Sequence, residues 1–263
     1  GWRRRLYGVL SFGWRGTDEQ WRHYTRAYLF FAAFATPLVV SVHSVVSWDF
    51  AVSVTPGWHS TLFPPYFVAG AILSGVAMVI TILVPLRRAF RLEWIITPYH
   101  LDMLARLVIL TGLIVTYSYA TEILLSLRAP AADPERSTLL YRMTGPYAPV
   151  FWTMVTCNCL GPILLLVRRI RTTTWTLLVI SIAINVGMWL ERFNIVVTSL
   201  AHDRLPFDWR VYVPTWVEWA ITFGAFGWFF TLFLIGLKIL PPVSIAELKE
   251  DLVEHAGEGS HAP

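Results

Sequence analysis

The 263-residue chain is 56% apolar and only 14% charged, with a mean hydropathy of +0.55. A water-soluble domain carries about a quarter charged residues, so the composition excludes a soluble globular enzyme and points to a polytopic helical membrane protein. The net charge of +4 is no nucleic-acid signal, because the basic residues sort by membrane side instead of forming one binding face.

Residues 1–23 are basic and aromatic, with Trp2, Arg3, Arg4, Arg5, Tyr7, Trp14 and Trp21. They read as an interfacial loop on lipid headgroups. The apolar run after Arg5 is too short for a signal peptide, and the chain reads as part of a longer protein. Six apolar stretches follow, near 24–47, 63–86, 101–127, 147–167, 175–200 and 215–240. Each meets the length of about 20 residues that a bilayer requires. The expected fold is therefore all-α: a transmembrane bundle of six spans with no soluble domain. Pro37 and Pro162 should kink their helices. The domain plan is 1–23 as a basic segment, 24–240 as the membrane region and 241–263 as a tail. In that tail Ser244 and Glu247 form a capping box for a short helix near 244–255.

Of the 21 Lys and Arg residues, fifteen fall on the side of the termini and five on the other, with Arg192 inside a span. The positive-inside rule then places both termini in the cytoplasm and the 48–62 loop outside.

Polar residues inside the spans are the candidate functional groups, since hydrocarbon makes them costly. His43 and Asp49 lie within and at the end of the first span, and Trp58 and His59 follow in the loop. Glu122 sits in the third span, Glu191 and Arg192 in the fifth. Adjacent helical residues point about 100° apart, so Glu191 and Arg192 each require another partner: Asn194 for Glu191, and Glu122 or Asp49 for Arg192. Structural ion pairing is the competing explanation for this set. Asp102 and Arg106, four apart, read as a surface salt bridge. The second span carries Ala69, Gly70, Ala71, Ser74, Gly75 and Ala77, a small-residue face that admits close helix approach.

Cys157 and Cys159 are the only cysteines and read as inert buried thiols. One histidine well inside a span does not make a bis-histidine haem site. No CxxC pair, dinucleotide fingerprint or P-loop occurs, so no metal and no directly bound cofactor is expected.

Four stretches in order, HSVVSWDFAVSVTPGWHSTLFPPYFVAGAILSG, ITPYHLDMLARLVILTGLIVTYSYATEILLS, INVGMWLERFNIVVTSL and FGWFFTLFLIGLKILPPVSI, resemble the NrfD/PsrC family of membrane subunits, most closely its ActC-type members from alternative complex III. ActC-type chains have further helices upstream, so this sequence resembles their downstream part. The resemblance implies a quinol-oxidising membrane subunit, with menaquinol or ubiquinol as substrate. It implies iron–sulfur clusters and haem c only in partners: a periplasmic iron–sulfur subunit, multihaem cytochrome c subunits and a second NrfD-like membrane subunit. Within that expectation Asp49 or His43 is the catalytic base, Trp58 and His59 shape the quinol mouth, and Glu122, Glu191 and Arg192 form a proton path. A membrane anchor without quinone chemistry and a secondary transporter are the alternatives.

Overall fold

The computed structural model describes residues 2–58, 60, 62–202 and 209–239. Nine helices are found among them, and no strand. They are α1 (Trp2–Leu10), α2 (Asp18–Ala51), α3 (Phe63–Ala89), α4 (Pro98–Arg128), α5 (Pro134–Thr144), α6 (Ala148–Leu164), α7 (Arg168–Thr172), α8 (Thr174–Ala201) and α9 (Trp216–Ile239). Helices α2, α3, α4, α8 and α9 are long and apolar enough to cross a bilayer, and α6 is a shorter apolar helix. The all-α membrane fold follows from the sequence as expected, with α6 as its sixth, shortened span. The helix expected near 244–255 lies outside the described residues. The 1–23 segment differs from expectation, because α1 is a helix and not a loop.

The chain divides into two compact units, residues 26–212 and the pair Gly1–Thr25 with Val213–Pro263. In the latter unit, Trp14, Trp21 and Tyr24 meet edge to face, and the Tyr7 hydroxyl donates to the Ile239 carbonyl. Helix α9 buries none of its side chains. A helix so apolar all round is stable in lipid and not in water.

The core of residues 26–212 is built from α3, α4, α6 and α8. Leu73, Ala77 and Ile80 of α3 and Ala105, Val108 and Val115 of α4 are fully buried, as are Leu177 and Ile184 of α8. The small-residue face is used only in part. Gly70 and Ala77 are buried, and a Cβ on Gly70 would lie 3.2 Å from Met188 Cε, whereas Gly75 faces outward. Pro98 opens α4 behind a Thr97–His100 capping box, and Pro134 opens α5 behind Asp133, whose carboxylate accepts from Glu135 N. Both are the preferred chemistry at a helix start.

Helix α6 contains a π turn, Thr156–Leu160, directly ahead of Pro162. A proline ring collides with the carbonyl four residues earlier, here that of Asn158, and the wider π turn accommodates the clash. The kink expected at Pro162 takes this form, while Pro37 sits inside an uninterrupted α2. The Pro162 ring in turn packs where Gly112 leaves out a side chain, since a Cβ there would overlap it.

Gly187 of α8 makes a similar allowance: a Cβ would overlap Asn158 Oδ1 and lie 2.7 Å from Cys157 Cβ. Gly187→Ala is therefore expected to destabilise the bundle by about 1–3 kcal/mol. A thermal melt of the detergent-solubilised chain checks this, and an unchanged midpoint would show that α6 yields freely.

Candidate functional site

Most of the buried polar groups collect towards the end of the bundle that carries the 52–62 loop. Glu191 is 1% exposed. Its Oε2 accepts hydrogen bonds from the Tyr119 hydroxyl and, at 3.4 Å, from Asn158 Nδ2, which also donates to Tyr119 at 3.0 Å. Asn158 is fully buried because the π turn of α6 swings it inward. Tyr66 packs edge-on against Tyr119 with 5.7 Å between ring centroids. Three helices thus converge on one carboxylate.

Glu191 lies just before a second π turn, Asn194–Thr198. This turn alters the carbonyl pattern of α8. Thr198 bonds back to the Asn194 carbonyl, and Trp58 Nε1 donates to the Ile195 carbonyl at 2.7 Å. Arg142 of α5 completes the arrangement. Its guanidinium donates to Thr198 Oγ1 at 2.8 Å and Ser199 Oγ at 2.6 Å, and stands 3.9 Å from Glu122 Oε1. Gly57, at φ +82°, passes directly over that guanidinium, where a Cβ would be 2.5 Å from Nη2, and its amide donates to Glu135 Oε2 at 2.8 Å. Only glycine combines this backbone conformation with so close an approach. The loop is thereby clasped to α5 and α8.

Burial lowers the pKa of Arg142, and the Glu122 and Glu135 carboxylates oppose that shift, so the guanidinium stays a cation. His202 is stacked between Tyr141, at 4.4 Å, and Trp209, at 3.9 Å. Burial lowers its pKa, and the Arg142 charge adds to the effect.

Between these groups lies a cavity of about 30 Å³, bordered by Tyr66, Tyr119, Glu122, Arg142, Glu191 and Asn194 with apolar neighbours. A water occupies about 10–15 Å³ on this measure, whereas a benzene-sized ring needs on the order of 150 Å³. The cavity suits one or two waters and is too small for a quinone ring. Glu191 and Asn194 line it, and Oε1 of the former and Oδ1 of the latter have no hydrogen-bond partner among the described residues. Two carboxylates, a guanidinium and two phenol hydroxyls thus line one small cavity, and an ionisable cluster at membrane depth is a candidate functional site.

The expected site residues divide into two groups. Glu122 and Glu191 meet at this cavity. Arg192 does not reach Glu122 or Asp49 as expected. It turns back to Glu191 Oε1 at 3.8 Å, beyond hydrogen-bonding distance, and lies over the Phe67 ring at 4.5 Å. Glu122 takes Arg142 instead, and Asn158 supplies the contact expected of Asn194. His43 and Asp49 do not border the cavity. His43 is half-buried and, among the described residues, bonded only to the Val39 carbonyl of its own helix. It shares a stripe with buried Ser47 and with Phe50, which packs on Trp58 and Phe67. Asp49 is exposed, six residues from His43 and so about 240° round the helix. His59 lies outside the described residues. Trp58 clamps the loop instead of lining the cavity.

Arg142 and Asn158 were not singled out from sequence. Asn158 had a readable signal, a lone amide in an apolar run ahead of a proline. Arg142 had none beyond its spacing from Leu139 in α5. At the other end of the bundle, Asp102 binds Arg106 at 2.8 Å as expected and also Arg171 at 2.5 Å. Among the described residues no group of three or more His, Cys, Asp or Glu side chains is placed to hold a metal ion.

An apolar helical bundle with a buried carboxylate–tyrosine–arginine cluster around a water-sized cavity defines an integral membrane protein with a polar interior site. Comparison with known families matches residues 11–202 to the family described as polysulphide reductase, NrfD. The match covers most of the chain, and the chain belongs to the NrfD family of redox-complex membrane subunits. Among curated proteins none matches.

Proposed function

We propose that this chain is the quinol-oxidising membrane subunit of a complex of the alternative complex III type, ActC-like in role. Electrons from menaquinol or ubiquinol pass to an iron–sulfur subunit on the outer face, and from there to multihaem cytochrome c subunits. A second NrfD-like subunit shares the membrane. The termini lie in the cytoplasm of a bacterial inner membrane, so the clasped loop faces outward. The observation that carries this reading is Glu191: a carboxylate 1% exposed within a membrane bundle, held by Tyr119 and Asn158 beside a cavity of water size. An ionisable group at this depth is by default a functional group, which weighs against a bare anchor.

Quinol oxidation releases two protons with its two electrons. The cavity volume favours a ring bound at the rim, with protons leaving through the cluster of Glu122, Arg142 and Glu191. At the rim, His43 on the bundle-facing stripe of α2 is the first base. Asp49, on another face, serves a quinol only where a neighbouring subunit covers α2. Trp58 holds the outer edge.

Photolabelling of the assembled complex with an azido-quinone tests this. Label is expected within residues 26–62, and His43→Gln is expected to lower turnover by about 10²-fold with assembly intact. Label confined to other subunits, with His43→Gln and Asp49→Asn both turning over normally, would leave the chain an anchor.

A further inference from the structure

The opposite end of the bundle holds a second, much larger recess. A groove of about 510 Å³ lies between the end of α3, the turn after it and the start of α8. This volume falls within the range of about 300–1,000 Å³ typical of small-molecule sites. Its walls combine Val84, Leu178 and Trp175 with the charged groups Arg87, Arg88 and Glu93. Trp175 is 64% exposed, as interfacial tryptophans are.

The charges here are open. Arg87 donates its Nε to the Ile96 carbonyl at 2.5 Å, and its terminal amino groups have no partner among the described residues. The Arg88 guanidinium has no hydrogen bond or ion pair among them, and Glu93 bridges neither arginine. Two cations thus stand against one anion. The start of α8 adds to this sign, because Thr173 makes no side-chain cap and the positive end of the helix is left bare. Arginine forks beside bare backbone amides match phosphate oxygens, while the apolar wall matches acyl chains.

We propose that this groove binds an anionic glycerophospholipid from the leaflet on the arginine-rich side. The phosphodiester sits between Arg87, Arg88 and the first amides of α8, and the chains run along Val84 and Leu178. Basic recesses between transmembrane helices are a recurrent form of lipid-headgroup recognition. The site is remote from the Glu191 cluster and does not depend on the proposed redox role.

The test is native mass spectrometry of the assembled complex titrated with phosphatidylglycerol and, separately, phosphatidylcholine. Preferential retention of phosphatidylglycerol is expected. Arg88→Gln should weaken that retention about fivefold, the effect of one interfacial cation, without loss of assembly, because Arg88 holds no protein partner. Glu93→Gln should strengthen it. Equal retention of both lipids, or phosphatidylglycerol retention unchanged in both variants, would overturn the proposal. Displacement of the lipid by a quinone analogue would also overturn it and assign the groove to the substrate.

Discussion

Glu191→Gln is expected to lower quinol turnover by about 10²–10⁴-fold, the usual effect of deleting a proton-transfer group, while the subunit assembles normally. Glutamine keeps the volume of the buried side chain and still offers an oxygen to the Tyr119 hydroxyl. What it removes is the ability to take up and release a proton beside the cavity shared with Glu122 and Asn194. Tyr119→Phe gives a control, since it deletes the hydroxyl that donates to the carboxylate but leaves the carboxylate in place. Its loss should be smaller. Turnover of the Gln variant within about twofold of the parent would remove Glu191 from any obligatory path, whichever subunit binds the quinol.

Arg142→Met is expected to have the largest effect on stability. The parent side chain is 5% exposed, holds Thr198 and Ser199 at hydrogen-bonding distance, and faces Glu122. Breaking a buried charge pair from one side costs about 3–5 kcal/mol. Glu122 remains 31% exposed, and water compensates part of its loss, so about 3 kcal/mol is the expected figure. For a domain near 200 residues that lowers the melting midpoint by about 6–12 °C. The 52–62 loop should also become cleavable by added protease, because Gly57 rests on the guanidinium. Arg142→Lys should not rescue the loop, since an ammonium cannot reproduce the fork that spans Thr198 and Ser199. A midpoint shifted by less than a degree would mean that Glu135 and Trp58 hold the loop without it.

The two variants probe different layers of one site, and those layers differed in how legible they were. Glu122 and Glu191 could be picked out because any carboxylate in an apolar run is conspicuous. Their partners could not, because pairing joins residues far apart in the chain: Glu122 with Arg142, and Glu191 with Tyr119 and Asn158. The expectation for Arg192 failed for a related reason. A helical wheel fixes where a side chain leaves the backbone, but a long guanidinium can curl back, and Phe67 provides a surface for it to do so. His43 and Asp49 were grouped by closeness in sequence, and their six-residue separation turns them to different faces of α2.

What the sequence alone determined is the solvent. Long runs without charge can satisfy their backbone in lipid only as helices, so the number, order and approximate limits of the spans follow from composition, and the helix starts at Thr97–Pro98 and Asp133–Pro134 follow from local capping chemistry. What only the tertiary structure decided is where the buried polar atoms find one another. Pro162 announces a distortion, but packing decides that the resulting π turn aims Asn158 at Glu191, and the π turn at Asn194–Thr198, with no proline to mark it, brings Thr198 and Ser199 under Arg142. Hydrocarbon constrains each helix separately, whereas a hydrogen-bonded cluster depends on the rotation and depth of several helices together, and no single stretch of chain encodes that.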